Sequence, residues 1–174
     1  EVMSGSAYMA TAQTTNIVSF LSMATGYVTE VNVSFEAAAC ASAKDDLSTT
    51  IMGGSITQEG ATFGRVAKVG LGGEKWTADV DCPPVYPPLV GQDYIVVAGS
   101  SCVTGLDSTG AITWTPEPPV DGDAAFIVSH PPVVIPSIDG DMVVLVSRNV
   151  ITVLDSATGE EINQMATARS VKLP

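Results

Sequence analysis

The feature that most limits what this chain can fold into is a segment that returns. Residues 103–114 read Val-Thr-Gly-Leu-Asp-Ser-Thr-Gly-Ala-Ile-Thr-Trp, and residues 151–162 read Ile-Thr-Val-Leu-Asp-Ser-Ala-Thr-Gly-Glu-Glu-Ile. Each copy is a strand-forming run, a Leu-Asp step, a tight turn closed by Thr-Gly, and a second short run. Asp107 and Asp155 are placed to accept backbone N–H groups of the turn. Thr109-Gly110 and Thr158-Gly159 end it, glycine taking the positive φ that such a hairpin needs. Two weaker copies lie upstream. Residues 17–28 keep Thr25-Gly26 without the aspartate, and residues 66–76 keep Gly72-Gly73 and Trp76. Gly26, Gly73, Gly110 and Gly159 follow one another at intervals of 47, 37 and 49 residues. Short strands repeating about every 40–50 residues predict an all-β, propeller-like array.

Composition agrees with that class and narrows the partners. With 45% hydrophobic and 15% charged residues, 16 Gly and 11 Pro among 174 residues, the chain reads as one turn-rich β domain that buries a core. Its net charge of −12 would be repelled by a phosphate backbone or an anionic headgroup layer, which argues against nucleic acid and lipid surfaces as partners. No apolar run approaches the ~20 residues of a membrane span. Three cysteines, Cys40, Cys82 and Cys102, are too few for a disulfide scaffold. One bridge with one thiol left over and three reduced thiols are equally compatible with the sequence. Asn32-Val33-Ser34 is an N-glycosylation sequon, with meaning only on a eukaryotic secretory route.

The repeat frame divides a single domain, 1–174, into approximate blades 6–33, 46–80, 84–117 and 131–165, with linkers at 34–45 and 116–130. In the first blade, Tyr27-Val28-Thr29-Glu30-Val31-Asn32-Val33 alternates cleanly, as a half-buried strand should. Residues 36–44, Glu-Ala-Ala-Ala-Cys-Ala-Ser-Ala-Lys, have helix-forming composition but span under three turns, so the expectation is a linker with room for one helical turn. In the second blade, residues 47–52 form a strand that Gly53-Gly54 ends, residues 55–60 are loop, and 61–71 return as a strand. The third and fourth blades open on proline-flanked segments, Pro83-Pro84-Val85-Tyr86-Pro87-Pro88 and His130-Pro131-Pro132, which suit an edge rather than a sheet centre.

The blade order is thus a proline-flanked lead-in, Asp or Gly before a Val/Ile/Tyr strand, a second strand ending in Leu-Asp, then Thr-Gly and a closing aromatic. It resembles the pyrroloquinoline-quinone-type (PQQ-like, quinoprotein-like) propeller blade with its Leu-Asp-x-x-Thr-Gly-x-x-x-Trp signature. The third and fourth copies carry the signature, the third with one residue rather than two between Asp107 and Thr109, and the fourth with Ile162 near the tryptophan's place, which strict spacing puts at Asn163. The second keeps Trp76, and the first only Thr25-Gly26. The resemblance implies four-stranded antiparallel blades closing a ring of seven or eight, of which this chain supplies about four. Such an arc would expose a sheet face and unpaired edges. The ring is therefore expected to be completed by further blades of a longer chain, by another polypeptide, or by a second copy.

Quinone-dependent members of that family hold the quinone and a calcium ion in the central funnel, but their ligand and catalytic motifs cannot be placed in this sequence. No catalytic, cofactor-binding or metal-binding residue is therefore assigned. Asp107 and Asp155 are read as turn residues. Asp121-Gly122-Asp123 and Asp139-Gly140-Asp141 lack the longer spacing of a calcium loop. His130 is the only histidine and sits before two prolines, so it is read as structural or surface. No Gly-x-Ser-x-Gly elbow, Cys-x-x-Cys pair or phosphate-loop lysine accompanies the serines, cysteines and glycines. Trp76 and Trp114 are read as packing anchors between blades.

The expected function is a non-catalytic propeller scaffold that docks a protein partner within a larger assembly, with no cofactor and no direct membrane span. Non-enzymatic proteins with this repeat work that way, including a lipoprotein of outer-membrane barrel assembly and the lumenal part of the endoplasmic-reticulum membrane insertion complex. The alternatives are a fragment of a quinone- and calcium-dependent dehydrogenase and a self-assembling structural extracellular β protein. Acidity, Ser/Thr/Gly richness and the resemblance place the chain outside the cytoplasm, in periplasm, lumen or exterior.

Overall fold

The structure, a computed structural model, describes residues 8–12, 16–22, 24–42, 48–116, 128–147 and 150–166. Fifteen strands form among them, gathered into four antiparallel sheets in chain order. The first sheet is β1 (Tyr8–Ala12), β2 (Ile17–Ser22) and β3 (Val28–Asn32). The second is β4 (Glu36–Ser42), β5 (Thr49–Gln58), β6 (Ala61–Gly70) and β7 (Gly73–Val80). The third is β8 (Leu89–Val90), β9 (Tyr94–Ala98), β10 (Val103–Asp107) and β11 (Ile112–Trp114). The fourth is β12 (Val133–Ile135), β13 (Met142–Val146), β14 (Val150–Asp155) and β15 (Glu161–Ala166). Each strand pairs with its chain neighbour, so every sheet is an up-and-down meander. Three sheets have the expected four strands; the first shows three among the described residues.

The sheets stack face to face, and the core is three separate layers between them. Val18 and Phe20 of β2 meet Met52 of β5 and Ala67 and Val69 of β6. Ile51 and Val66, on the opposite face of the second sheet, meet Ile95, Val97 and Leu106 of the third. Val96, Ala98, Val103 and Trp114 then face Val143, Leu145 and Leu154 of the fourth. Period two explains how one strand serves two layers. In β9, Ile95 and Val97 point one way and Val96 and Ala98 the other, so a central strand reads as a continuous apolar run. All four are at most 3% exposed. At about 25 cal/mol per Å² of buried apolar surface, these layers are the main favourable term in folding.

Two expectations about the second blade are corrected. The stretch 34–45 is not a linker with a helical turn, because Glu36–Ser42 is β4. Ala37 and Ala39 are buried while Glu36 and Ala38 are exposed, and pairing with β5 over Glu36↔Ser55 to Ser42↔Thr50 outweighs the helix propensity of alanine. Gly53 and Gly54 do not end the strand either, nor is 55–60 a loop. Both glycines lie inside β5, where a Cβ on Gly54 would collide with the carbonyl oxygen of Glu36, and one on Gly53 would sit 2.7 Å from the Pro84 ring. Glycine within a strand marks such close approach. β5 continues to Gln58 and turns through Glu59 (φ 51°) and Gly60 (φ 83°), the two positive values of a type I′ hairpin.

Candidate functional site

The repeated turns are built around a carboxylate. Asp107 Oδ1 accepts from the Thr109 amide (2.8 Å), the Thr109 hydroxyl (2.6 Å) and the Ala111 amide (2.9 Å). Asp155 Oδ1 does the same for the amides of Ala157 (2.9 Å) and Thr158 (2.8 Å) and the Thr158 hydroxyl (3.1 Å). The Thr109 hydroxyl, then the Ala111 amide, hold the Asp107 carboxyl below its ordinary range, and the Thr158 amide does so first for Asp155. Gly110 (φ 89°) and Gly159 (φ 71°) close the two turns in the left-handed region. The first blade keeps this geometry with a serine. Gly26 (φ 73°) donates to the Ser22 carbonyl at 2.8 Å, and Ser22 Oγ, where the aspartate would be, accepts from the Thr25 amide at 3.4 Å. Ser22 escaped the sequence reading, although its place after Leu21 marks it.

Each tryptophan reaches from one blade into the turn of the next. Trp76 Nε1 donates to the Ser108 carbonyl at 3.2 Å, and its ring lies where a Cβ on Gly110 would come within 2.6 Å. Trp114 Nε1 donates to the Ser156 carbonyl at 3.1 Å, its ring 2.5 Å from a Cβ built on Gly159. The structure therefore brings Trp76 together with Asp107, Thr109 and Gly110, and Trp114 together with Asp155, Thr158 and Gly159. Among the described residues, Thr25 and Gly26 have no such ring above them, and nothing lies within 4 Å of a Cβ on Gly26.

Other polar groups and one disulfide fasten strands within a blade or one blade to the next. Tyr94 of β9 donates its hydroxyl to Asp141 Oδ2 at 2.7 Å, before β13, and burial followed by that bond pushes the phenol well above its ordinary value. Tyr86 donates to the Val128 carbonyl at 3.0 Å. Arg65 grips Asp79 with two bonds, 2.6 and 3.0 Å, which raise the guanidinium and lower the carboxyl. Glu74 accepts from the amide and hydroxyl of Ser34 at 2.6 and 2.9 Å, anchoring the passage from the first blade to the second. A bridge between Cys82 and Cys102 fastens the start of the third blade to its own β9–β10 turn, while Cys40 lies half-buried on β4.

Among the described residues, no three His, Cys, Asp or Glu side chains converge as metal ligands, and no helix is long and apolar enough to cross a membrane. Asp141 is engaged by Tyr94, and Asp121 and Asp123 lie outside the described residues. His130 is exposed, with Nδ1 at 3.0 Å from Ser129 Oγ; that hydroxyl donates to the Val146 carbonyl, which makes the pair a loop fastening.

No family model matches the chain, and no curated protein does. Solved structures do match. BamB from Moraxella catarrhalis superposes with a TM-score of 0.65 at 22% identity, over 92% of this chain and 45% of that one. The β-propeller domain of Cps50 (Swd1) from Myceliophteria thermophila gives 0.64 at 13% identity, over 94% and 52%. The Kuenenia stuttgartiensis hydrazine synthase gives 0.58 at 20% identity, over 87% and 43%. The chain thus spans about half the length of the structures it matches. At these identities the likeness shows the fold, and that fold is an arc of β-propeller blades.

Proposed function

We propose that this chain is part of a quinoprotein-like propeller that acts without catalysis, as an interaction module docking a protein partner within a larger assembly. The observation that carries the reading is the outward face of the fourth sheet. Register places Val133, Ile135, Met142, Val144, Ile151 and Met165 on that one face. Val133, Ile135 and Met165 are 46–55% exposed. The opposite face of the same sheet is closed by the third blade. A contiguous apolar sheet face of this kind marks an interaction site, and the stacked geometry suits a further blade, from whichever chain supplies it. The Trp76 and Trp114 turns, which the sequence already links to the quinoprotein-like repeat, support the finer family assignment. The Cys82–Cys102 bridge supports an oxidising compartment outside the cytoplasm.

The test is the native mass beside the denatured mass of 17.9 kDa. We expect an assembly larger than one chain that Val144→Glu dissociates while leaving the far-ultraviolet circular dichroism unchanged. A monodisperse monomer at all concentrations, silent to an apolar dye, overturns the reading. A melting temperature raised by added quinone and calcium would favour the dehydrogenase alternative instead.

A further inference from the structure

The second blade is closed on both faces, by the first blade through Phe20 and Met52 and by the third through Ile51 and Leu106. Its edges are therefore free of any question about what covers the fourth. Its central hairpin outgrows the sheet. β5 and β6 pair from Thr49↔Gly70 out to Gln58↔Ala61. β4 accompanies β5 only as far as Glu36↔Ser55, and β7 accompanies β6 only to Gly64↔Val80. Among the described residues, 56–58 thus have no strand on the β4 side. At ~3.3 Å per residue the overhang is about 10 Å long. The type I′ turn and the facing Thr57 and Thr62 hydroxyls, 3.4 Å apart, hold its tip in hairpin geometry.

At the foot of this free edge lies a cleft of about 370 Å³, lined by Asn16, Ser34, Glu36, Ser55, Ile56 and Thr57. Ile56 is half-buried and shares its face with its cross-strand partner Phe63, which is 43% exposed. Glu36, an exposed acidic residue, lies among the residues lining the cleft, on a chain of net charge −12.

We infer that the β5 edge at 56–58, with the cleft beside it, docks an extended segment of a protein partner that adds as a strand and sets a lysine or arginine against Glu36. Alternate residues of an edge strand offer both an N–H and a C=O outward, which only another extended backbone satisfies together. Across the two-residue hairpin Gln58 bonds with Ala61 and Ile56 with Phe63, so Thr57 alone of the three offers such a pair, and side-chain contacts must supply the rest. Ser55 and Thr57 bring hydroxyls to the cleft and Val33 and Phe35 an apolar floor, with Glu36 beside them, while the Ser34 hydroxyl is already engaged by Glu74 and Arg65.

The experiment is a ¹⁵N-detected titration of the whole chain with a capped octapeptide alternating lysine and valine. Two controls accompany it, one with glutamate for lysine and one N-methylated at alternate residues. Saturable shifts confined to Asn16, Ser34, Glu36 and residues 55–58, lost with both controls, are expected. Glu36→Gln should weaken binding about two- to fivefold, as for an exposed ion pair. Equal binding of the N-methylated peptide, shifts centred on the fourth-sheet face, or no shifts at millimolar peptide would each overturn the inference.

Discussion

Two glycines with the same backbone and different surroundings measure what the tryptophan docking is worth. Gly26 and Gly159 close equivalent turns at φ 73° and 71°. A Cβ on Gly26 meets nothing within 4 Å, whereas one on Gly159 falls 2.5 Å from Trp114 Cδ2. Gly26→Ala therefore carries only the left-handed penalty, ~1–2 kcal/mol, less the few tenths to 1 kcal/mol gained by restricting the unfolded chain, for a net cost of about 1 kcal/mol. Gly159→Ala carries the same cost and must also displace an indole that is 8% exposed and bonded to Ser156. Overpacking of that kind adds about 1–3 kcal/mol. Urea unfolding followed by circular dichroism should thus separate the two variants by about 1–3 kcal/mol at unchanged m-value. Trp114 emission should shift only in Gly159→Ala. If the two variants lose the same stability within about 0.5 kcal/mol, the ring does not rest on that turn and the interblade reading of Trp114 fails.

Acid should unfold the chain through its turns. Asp107 and Asp155 sit below the ordinary value of 3.8, so their contribution is present above the unfolded value and lost as pH falls through the folded ones. Stability should decline below about pH 4, and Asp155→Asn should flatten that decline in an acid titration followed by circular dichroism. Glu59, the non-glycine residue at positive φ among those described, should be improved by Glu59→Asn. A gain of about 0.5–1 kcal/mol in urea unfolding is expected, because asparagine suits the first position of a type I′ turn. Reducing the Cys82–Cys102 bridge, 20 residues apart, should cost about 3 kcal/mol, seen as a fall of roughly 6–12 °C in melting temperature. Cys82→Ser should reproduce that loss and make the chain indifferent to reductant.

What was legible in the sequence is what local chemistry decides. An aspartate that gathers three donors from its own turn announces that turn in a short window, which is why the Leu-Asp-Thr-Gly copies and their spacing led to the blade stack. Ser22 performs the same task with a weaker acceptor, and its signal was correspondingly faint. The second blade is opaque to a local reading because its strands are decided at long range. Glu36–Ser42 has helical composition and becomes a strand only through β5, and Gly53-Gly54 look like a stop until the Glu36 carbonyl and the Pro84 ring occupy the space a side chain would take. The cysteines were undecided for the same reason, since the fold alone sets Cys82 beside Cys102. The proposed docking edge is hidden from local sequence for the same reason. It exists because β5 runs past the end of β4, and how far two strands accompany each other depends on pairing partners and close approaches that no single window of sequence contains.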